Sequence, residues 1–492
     1  MADARQLVDK LWNFCTLLRD DGVSTIDYTE QLTYLLFLKM AHERETRLLE
    51  PERILPPECS WQRLLDAAGK DLETTYRQIL ETLAAQSGML GLIYRKAQNK
   101  IQDPAKLKRL ITELIDKENW SAEGVDIKGD AYEGLLEKGA SDIKSGAGQY
   151  FTPRALIAAM VDVMQPTVKD TVVDPACGTG GFLLAAYAYA SKSAKNLTPD
   201  ERAHLRDNFV RGVELVDGTA RLAAMNMLLH GIGRPDGAGP IEVKDALTAD
   251  PGKRWSMVLA NPPFGTKSTV KMIGVDGKVA KDNLEIARDD FWVTTSNKQL
   301  NFVQHIKTIL EIHGRAAVVL PDNVLFESGA GETLRKRLLQ EFDVHTLLRL
   351  PTGIFYAGGV KANVLFFDKK SASEKPWTTK LWVYDFRTNQ HFTLKQNPML
   401  RSHLDDFVSA YRPGERGKRV ESERFKSFTY EEIVARDKAN LDIVWLKDDS
   451  IEDAADLPPP AVIAASIAEE LEAAVAAIND IVAGLPGQRV ND

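Results

Sequence analysis

The sequence predicts an α/β protein: a doubly wound sheet domain, preceded by an all-helical N-terminal domain and followed by a helical tail. Three observations support this prediction. Up to about Ser145 the apolar residues recur at helical spacing, and no strand pattern competes. After "SGAGQYFTPR", short β-branched runs alternate with helical segments. Near the end, the "DLPPPA" break precedes one apolar stripe with steps of three and four.

The N-terminal region contains several predicted helices. In "YTEQLTYLLFLKMAHERE" the apolar side chains at helical spacing are Leu32, Leu35, Leu36 and Met40. A long helix, "WQRLLDAAGKDLETTYRQILETLAA", is predicted to begin after Ser60. Another is predicted to begin at Asp103, with Pro104 in the first turn, where its missing backbone N–H does no harm.

The main domain alternates predicted strands and helices. The strands are "TVVDP", "FVRGVEL", "PIEVKDAL", "WSMVLANPPF", "RAAVVLP", "VHTLLRLP" and "ANVLFFD". The helices between them include "GGFLLAAYAYA", "TARLAAMNMLLHG", "LNFVQHIKTILEIHG" and "ETLRKRLLQEF". Sheets of this kind bind ligands at the carboxyl ends of their strands, and the unusual residues of this sequence follow those ends.

Two segments leave alternatives open. The polar stretch between Gly265 and Leu300 is either a lid or binding loop, or a solvated flexible loop. The helix predicted from Val462 to Leu485 either packs on its own domain or docks against a partner.

Length and composition limit the classes of protein. At 492 residues the chain is too long for one core, and we expect domains at 1–145, 146–455 and 456–492. The 3 cysteines lie far apart without metal-ligand spacing, so neither a disulfide framework nor a metal site is expected. The sequence shows no signal peptide and no run long enough to span a membrane, which favours the cytoplasm.

The net charge also limits the function. It is −8, whereas a protein that held DNA by itself would usually carry a basic surface. Either the protein binds no nucleic acid, or a partner supplies much of the affinity for DNA.

The segment "TVVDPACGTGGFL" predicts a strand, an acidic residue, a glycine turn and a helix. It does not match the G-x-G-x-x-G pattern of dinucleotide-binding folds. Successive predicted strands end in the acids Asp174, Glu214 and Asp245. Three acids would repel a phosphate but suit a nucleoside ligand with positive charge. Each acid alone is more often a cap or a solvated loop residue, but their order along the sheet favours a site.

The stretch "ANPPFG" leaves a predicted strand through Asn261, Pro262, Pro263 and Phe264. Two consecutive prolines stop ladder pairing and hold the backbone extended, so that carbonyl oxygens point outward. An amide, free carbonyls and an aromatic ring at a strand end indicate a site, although these four residues alone are also compatible with an ordinary loop.

Several motifs together carry a resemblance. The segments "DPACGTGGF", "NPPF" and "GAGQYFTPR" resemble the amino-group DNA methyltransferases that use S-adenosylmethionine. The segments "LWNFCTLLRDDGVSTIDYTEQLTYLLFLKM", "GVELVDGTARLAAMNMLLHG" and "LPDNVLFESGAGETLRKRLL" resemble the modification subunit of type I restriction-modification systems. The resemblance covers nearly the whole chain. It implies a methyltransferase sheet, S-adenosylmethionine as cofactor, and adenine N6 in double-stranded DNA as methyl acceptor.

The resemblance also implies roles by position. Around the methionine end of the cofactor it places Gln149, Tyr150, Phe151, Thr152, Pro153 and Arg154, with Thr152 as a partner of the carboxylate. In the turn beneath the methionine it places Thr179, Gly180 and Gly181. For the methionine amino group, the ribose and the adenine it assigns Asp174, Glu214 and Asp245 in that order. We interpret Cys177, within the turn, as a packing residue, because amino methylation needs no covalent intermediate.

The resemblance gives "NPPF" a mechanism. The exocyclic amine of adenine is a poor nucleophile because its lone pair is delocalised into the ring. The side-chain oxygen of Asn261 and the carbonyl of Pro262 would each accept one amine hydrogen, which frees the lone pair. The base must leave the duplex, and Phe264 offers it a stacking face. Enzymes that methylate glutamine amides of proteins share the tetrapeptide type, but the helical N-terminal domain favours DNA.

The resemblance also implies partners. No basic, aromatic-rich module follows Asp368, so target reading is expected from a separate specificity subunit. The resemblance implies two modification subunits per specificity subunit, and a nuclease-motor subunit where restriction is also performed. A stand-alone adenine methyltransferase and a catalytically silent assembly subunit are the competing hypotheses.

Overall fold

The computed structural model describes most of the chain up to Lys447. The described residues are 11–14, 25–46, 53–118, 120, 152–194, 196–265, 269–273, 279–283, 285–355, 360–394 and 397–447. The chain divides into two compact units, Met1–Trp445 and Leu446–Asp492. The domain boundaries predicted near residues 145 and 455 lie outside the described residues, as does the helix predicted from Val462 to Leu485.

The N-terminal region is helical, as predicted. Its helices are α1 Thr25–Glu45, α2 Trp61–Asp66, α3 Gly69–Ala84, α4 Gly88–Tyr94 and α5 Pro104–Arg109, which continues as a π-helical turn over Leu110–Ile115. The predicted start of α5 is confirmed. Asp103 accepts a 2.8 Å hydrogen bond from the backbone N–H of Ala105, and Pro104 occupies the first turn.

The single long helix predicted after Ser60 is wrong, because two helices stand in its place. Ala67 and Ala68, between α2 and α3, have extended backbones with ψ of 149° and 156°. The Lys108 ammonium donates to the carbonyls of Leu65 and Ala67 at 2.6 and 2.8 Å. This partner from α5 satisfies carbonyls that a continuous helix would pair internally, and so stabilises the break.

The strands form one large sheet and one hairpin. Those described are β1 Val172–Asp174, β2 Val210–Glu214, β3 Ile241–Val243, β4 Trp255–Ala260, β5 Thr269–Ile273, β6 Val279–Asn283, β7 Leu310–Pro321, β8 Phe342–Arg349, β9 Ala362–Lys369, β10 Lys380–Asp385 and β11 Phe425–Thr429. The large sheet has the order β11-β10-β8-β9-β7-β4-β1-β2-β3.

The large sheet is mixed. Neighbouring strands from β3 to β7 are parallel, and so are β8 and β10. Strand β9 runs antiparallel to both β7 and β8, and β11 runs antiparallel to β10. The predicted doubly wound α/β sheet is confirmed. Strand β9 follows β8 in the chain and lies between β8 and β7, antiparallel to both.

Helices cover both faces of the sheet. They are α6 Arg154–Met164, α7 Gly181–Ser193, α8 Pro199–Asp207, α9 Asp217–Leu229, α10 Lys298–Ile309, α11 Asn323–Phe326, α12 Ala330–Glu341, α13 Asp405–Tyr411 and α14 Tyr430–Ala435. Successive strand residues belong to two different cores: Val172 packs in one and Val173 in the other, as do Leu259 and Ala260. Within the described ranges, every helix is too short or too polar to serve as a membrane span.

The end of α10 differs from its prediction. The helix ends at Ile309, and the residues from Leu310 to Gly314, predicted as helical, belong to β7. Lys369 donates to the carbonyls of Lys307 and Leu310 at 3.0 and 2.7 Å, which supplies donors where the helix stops.

The polar segment between Gly265 and Leu300 has regular structure in its described parts. Strands β5 and β6 pair as an antiparallel hairpin, and an isolated antiparallel bridge joins Ile286 to Thr295. The described residues of this segment therefore include paired strands, whereas its role as a lid, a binding loop or a solvated loop stays a prediction. A side chain of helix α10 binds the last part of this segment. The Gln304 side chain accepts from the backbone N–H groups of Trp292 and Val293 at 2.7 and 2.9 Å.

The N-terminal helices hold α9, which directly follows the carboxyl end of β2. Arg221 of α9 pairs with Glu30 of α1 at 2.8 Å. Arg44, also from α1, donates to the carbonyls of Leu228 and Leu229 at the other end of α9. The helical region therefore positions one of the helices that carry the candidate site.

Candidate active site

The predicted site residues gather at one edge of the sheet. Strands β4, β1, β2 and β3 are parallel neighbours in that order, so their carboxyl ends meet at one edge. Asp174 is the last residue of β1, Glu214 is the last residue of β2, and Asp245 follows β3 by two residues. Asn261 directly follows β4. The structure thus brings these residues together in the order that the sequence implied.

The glycine turn after β1 has backbone torsions that favour glycine. Gly178 and Gly180 have φ of 55° and 87°, and Gly180 precedes the first residue of α7. A Cβ on Gly180 would lie 2.6 Å from the end of the Met227 side chain, whereas a Cβ on Gly178 would meet nothing within 4 Å. The turn is therefore packed on its α9 side and open at Gly178. Asn226 of α9 donates to the carbonyl of Thr179 at 3.0 Å and supports the turn.

Glu214 ties the end of β2 to the glycine turn. One carboxylate oxygen accepts from the backbone N–H of Gly178 at 3.0 Å, and the other accepts from Val216 at 2.8 Å. Each carboxylate oxygen has a second lone pair, so Glu214 keeps acceptor capacity for a ligand. The sequence predicted an acid at this place but not its contact with the turn.

Asp174 is buried at the centre of the site. Its carboxylate accepts from the backbone N–H of Ala176 at 2.9 Å. Burial raises the pKa of Asp174 to about 8, and the neighbouring charge of Glu214 acts in the same direction, against the hydrogen bond from Ala176. The environment of Asp174 therefore favours its protonated form, unlike that of an ordinary surface carboxylate.

Asp245 is exposed beside the other two acids. It accepts from the backbone N–H of Leu247 at 2.9 Å. Each of the three acids thus makes the local backbone contacts of a turn residue, which was the alternative interpretation of each acid taken singly. Their shared edge of the sheet is what distinguishes them as a set.

Asn261 is buried, and its amide is held by Thr152. Its Nδ2 donates to the Thr152 hydroxyl at 2.8 Å, across 109 positions of sequence. Its Oδ1 is also buried and accepts no hydrogen bond from any described residue. A buried acceptor without a partner costs roughly 1 to 3 kcal/mol, so this oxygen is suited to a ligand that donates a hydrogen.

The rest of "NPPF" forms a turn around this amide. Pro262 is buried, and Pro263 accepts at its carbonyl from the backbone N–H of Gly265 at 3.0 Å. The carbonyl of Pro262 accepts no hydrogen bond among the described residues. Phe264 is half-buried, and its ring contacts that of Phe355 edge to face, with centroids 5.4 Å apart and planes at 86°.

The segment before the sheet is described only in part. Gln149, Tyr150 and Phe151 lie outside the described residues. Thr152 is buried, Pro153 precedes α6, and Arg154 is the first residue of that helix. Among the described residues 152–154, Thr152 lies at the carboxyl end of β4, where it contacts Asn261.

The sequence interpretation missed several apolar residues at this edge. Leu215 and Val216, next to Glu214, are 64% and 57% exposed. A small apolar cluster lies beside Asp245; it consists of Val213, Ala246, Leu247 and Phe302, with Ala176, Ile286 and Phe291 packed against it. The apolar pair after Glu214 in "GVELVDG" could have been recognised from the sequence, because it directly follows an acid at a predicted strand end. The apolar cluster could not be predicted from the sequence, because two of its residues, Ile286 and Phe291, belong to the polar segment between Gly265 and Leu300. Phe355 was missed for a similar reason, since its contact with Phe264 joins the segments that follow β4 and β8, which are far apart in the sequence.

The buried Cys177 fits its interpretation as a packing residue. Burial raises the pKa of its thiol well above the ordinary value, and the nearby acids Asp174 and Glu214 act in the same direction. A Cβ on Gly212 of β2 would lie 2.7 Å from the Cys177 sulfur, which shows how closely the turn packs on the strand.

Comparison with known proteins identifies the family. Residues 123–448 match the family model described as N-6 DNA Methylase, and residues 7–114 match the HsdM N-terminal domain. The chain is 39% identical to the methylase subunit of the type I restriction enzyme StySJI of Salmonella typhimurium, over 94% of this chain and 92% of that protein. It is 38% identical to the EcoKI methylase subunit of Escherichia coli K12, over 96% and 94% of the two chains.

Solved structures agree with this assignment. The crystal structure of the EcoKI M protein matches 99% of this chain and 98% of its own, with 33% identity and a TM-score of 0.55. The type I methyltransferase subunit of Streptococcus thermophilus, 20% identical, has the same fold with a TM-score of 0.69 over 89% and 98% of the chains. Since a family model covers more than half of the chain and such relatives span nearly all of it, the chain belongs to the N-6 DNA methylase family as an adenine-specific DNA methyltransferase, a methylase subunit of the type I restriction-modification kind.

Proposed function

We propose that the site binds S-adenosylmethionine across the ends of β1, β2 and β3 and holds the amino group of a flipped adenine at Asn261. The observation that carries the proposal is the buried Oδ1 of Asn261, which lacks a partner among the described residues. An amine that donates a hydrogen to this atom would satisfy it. The family membership gives the amine its identity as the 6-amino group of adenine.

Three features of the chain fit S-adenosylmethionine. The turn leaves open space at Gly178, so a ligand can approach its backbone closely. The carboxylates of Glu214 and Asp245 suit ribose hydroxyls and an adenine amino group, and they disfavour a phosphate. The exposed apolar side chains of Leu215 and Val216 offer contact to a planar base. When bound, S-adenosylmethionine supplies an electrophilic methyl group.

The residues proposed to hold the cofactor keep the roles that the family pattern gives them. They are Gln149, Tyr150, Phe151, Thr152, Pro153 and Arg154 for the methionine end, Thr179, Gly180 and Gly181 for the turn, and Asp174, Glu214 and Asp245 for the amino group, ribose and adenine. A cationic amino group beside Asp174 would favour its charged form, against the burial that keeps it protonated.

The chain's own oxygens prepare the amine. Oδ1 of Asn261 and the carbonyl of Pro262 each accept one amine hydrogen, which draws the nitrogen lone pair out of conjugation with the ring. Because Asn261 precedes a proline, its backbone is confined to extended conformations, and the two prolines fix the position of the carbonyl. These acceptors therefore need little reorganisation when charge develops.

Phe264 provides the stacking surface for the flipped base. An amino group inside a duplex cannot reach a buried amide, so the adenine must leave the base stack. Stacking on an aromatic ring is worth roughly 1 to 3 kcal/mol per base, which offsets part of the unstacking cost. The Phe264 ring also packs edge to face on Phe355, which favours its observed orientation.

We further propose that sequence reading is delegated to a specificity subunit, with two modification subunits for each. The names of the relatives support this, since they are methylase subunits of larger enzymes. The net charge of −8 also fits a chain that binds DNA together with a partner. The helix predicted at 462–485 is proposed as the docking element, and a restriction subunit would join where cleavage is also performed.

The proposed domains are 1–145, 146–455 and 456–492, and the proposed compartment is the cytoplasm. The HsdM N-terminal model ends at residue 114, within the proposed helical domain, and the N-6 DNA Methylase model begins at residue 123, before the first proposed boundary at 145. Cys59 and Cys177 are both free and buried, as suits a reducing compartment.

The test of the proposed function uses the chain reconstituted with its specificity subunit and target DNA. Single-turnover transfer of labelled methyl is measured for the wild type and Asn261→Ala, and S-adenosylmethionine binding is measured by calorimetry. We expect transfer to be lost while the affinity for S-adenosylmethionine stays within a few-fold of the wild type. Retained transfer by Asn261→Ala would remove Asn261 from the mechanism. Transfer by the chain without the specificity subunit would favour the stand-alone enzyme.

A further inference from the structure

The contact between Thr152 and Asn261 joins the segment before α6 to the catalytic loop. The Thr152 hydroxyl accepts from Nδ2 of Asn261 at 2.8 Å, and the two residues are 8% and 7% exposed. The main chain of Asn261 is fixed by the proline that follows it. The remaining freedom at this position is rotation of the amide, which exchanges Oδ1 and Nδ2.

The two orientations of the amide have opposite effects on an amine. With Nδ2 toward Thr152, Oδ1 faces the site as an acceptor, as observed. With the amide reversed, Oδ1 would accept from the Thr152 hydroxyl, and the NH₂ group would present hydrogens to the hydrogens of the amine. Only the first orientation can draw on the amine's lone pair.

A hydroxyl alone does not choose between these orientations, because it can donate or accept. The choice depends on where the Thr152 hydrogen goes. If an acceptor other than the amide takes that hydrogen, the hydroxyl oxygen can only accept from Nδ2. The amide is then held with Oδ1 toward the site.

We propose that Thr152 is a positioning residue that sets the orientation of the Asn261 amide, and that the cofactor carboxylate locks it by accepting the Thr152 hydrogen. This inference rests on the proposed function, in which Thr152 lies at the methionine end of S-adenosylmethionine. Cofactor binding thereby prepares the acceptor for the target amine before the amine arrives. The Thr152 hydroxyl thus contacts the cofactor carboxylate directly and acts on the target amine through the Asn261 amide. This double role explains a buried threonine between the cofactor site and the catalytic loop.

The chain offers matched variants for a test. Thr152→Val keeps the shape of the side chain and removes the hydroxyl, whereas Thr152→Ser keeps the hydroxyl. Thr378→Val is the control for a buried threonine elsewhere, since the Thr378 hydroxyl accepts from Val344 N–H at 2.9 Å and donates to the Phe342 carbonyl at 2.7 Å. Asn261→Ala tests the proposed function itself in the same experiment.

The first readout is single-turnover transfer at saturating S-adenosylmethionine, in the complex with the specificity subunit and target DNA. A misoriented reacting group costs up to about 100-fold, so Thr152→Val is expected to be roughly 10- to 100-fold slower than the wild type. Thr152→Ser should recover most of the rate, and Thr378→Val should lose stability without this loss of rate. A Thr152→Val rate within about twofold of the wild type, with Asn261→Ala inactive, overturns the inference and leaves the proposed function standing. An active Asn261→Ala overturns the proposed function.

The second readout is calorimetric and needs no turnover. S-adenosylmethionine is compared with its decarboxylated analogue, which lacks the proposed acceptor of the Thr152 hydrogen. A hydrogen bond to a charged group is worth about 10-fold or more in affinity, so losing the carboxylate should cost the wild type and Thr152→Ser about 10-fold more than it costs Thr152→Val. An equal loss in all three proteins overturns the link between the carboxylate and Thr152.

Discussion

Glu214 accepts a 3.0 Å hydrogen bond from the backbone N–H of Gly178, so the end of β2 and the glycine turn after β1 form one unit. The second oxygen of the same carboxylate holds the N–H of Val216 at 2.8 Å. The residue proposed to bind the ribose therefore also shapes the turn beneath the methionine. A change at Glu214 is expected to affect both parts of the cofactor site.

Glu214→Gln should weaken S-adenosylmethionine binding and lower stability together. The amide offers only one acceptor oxygen for the two backbone N–H groups, so one hydrogen bond is lost at a cost of roughly 0.5 to 1.5 kcal/mol. Calorimetry and urea unfolding measure the two effects. Glu242→Gln, on the exposed side of β3 beside Lys244, is the control and should change neither by much. Wild-type affinity in Glu214→Gln would contradict the proposed role.

Gly178→Ala should reduce cofactor affinity more than it reduces stability. A Cβ at this position meets no protein atom within 4 Å, so the stability cost comes from its φ of 55°, about 1 to 2 kcal/mol. The added methyl would occupy space proposed for the ligand. Gly252→Ala is a matched control, because Gly252 has a φ of 69° and equally open surroundings. We expect similar loss of stability in both variants and weaker S-adenosylmethionine binding only in Gly178→Ala. Equal affinities would place the cofactor elsewhere.

Asp174→Asn should change how stability depends on pH. The pKa of Asp174 is about 8 in the folded protein, against an ordinary value of 3.8. Between these values the folded chain holds a proton that the unfolded chain has lost, so this group's contribution is full below 3.8 and is lost as pH rises through about 8. The slope is up to about 1.4 kcal/mol per pH unit. Asp174→Asn removes it, and the variant should gain stability relative to the wild type as pH rises. Urea unfolding between pH 5 and about 8 measures this difference, and parallel curves would contradict the assignment.

Asp170, which precedes β1 by two residues, shifts its pKa in the opposite direction to Asp174. Burial alone would raise its pKa, but two hydrogen bonds from Arg315, each 3.0 Å long, lower the pKa below the ordinary 3.8. Its contribution is therefore present above 3.8 and is lost as pH falls through the lowered pKa. Asp170→Asn should lose roughly 3 kcal/mol at neutral pH, and the loss should shrink in acid. Urea unfolding of Asp170→Asn alongside Asp174→Asn checks the sign of both.

Phe264→Ala should impair the holding of the flipped base without weakening cofactor binding. Loss of one base-stacking contact is worth roughly 1 to 3 kcal/mol, or about 5- to 150-fold in single-turnover transfer. The fluorescence of 2-aminopurine at the target position reports base flipping independently of transfer. Phe264→Tyr keeps the ring and should keep most of the signal. An unchanged fluorescence response in Phe264→Ala would remove this residue from the base pocket.

Much of the architecture followed from local patterns. The strand and helix runs after residue 151 predicted the doubly wound sheet, and Asp103 with Pro104 predicted the start of α5. The predictions failed where a distant group decides the local structure. Lys108 supports the break between α2 and α3, and Lys369 supports the end of α10. No local pattern contains these partners.

The site shows the same division. The three acids and the "NPPF" turn were readable because their order in the sequence becomes their order along the parallel strands. The bond from Asn261 to Thr152 was not readable, because 109 positions separate the two residues. The protonation of Asp174 was also hidden, since it depends on burial in the finished fold.

The most direct test of the central claim is a structure of the complex with its specificity subunit, target DNA and a non-reactive analogue of S-adenosylmethionine. We predict that the flipped adenine places its 6-amino nitrogen about 2.7 to 3.2 Å from Oδ1 of Asn261, with Nδ2 still on the Thr152 hydroxyl. An adenine amino group bound by other residues, or an Asn261 amide turned with its NH₂ toward the base, would contradict it.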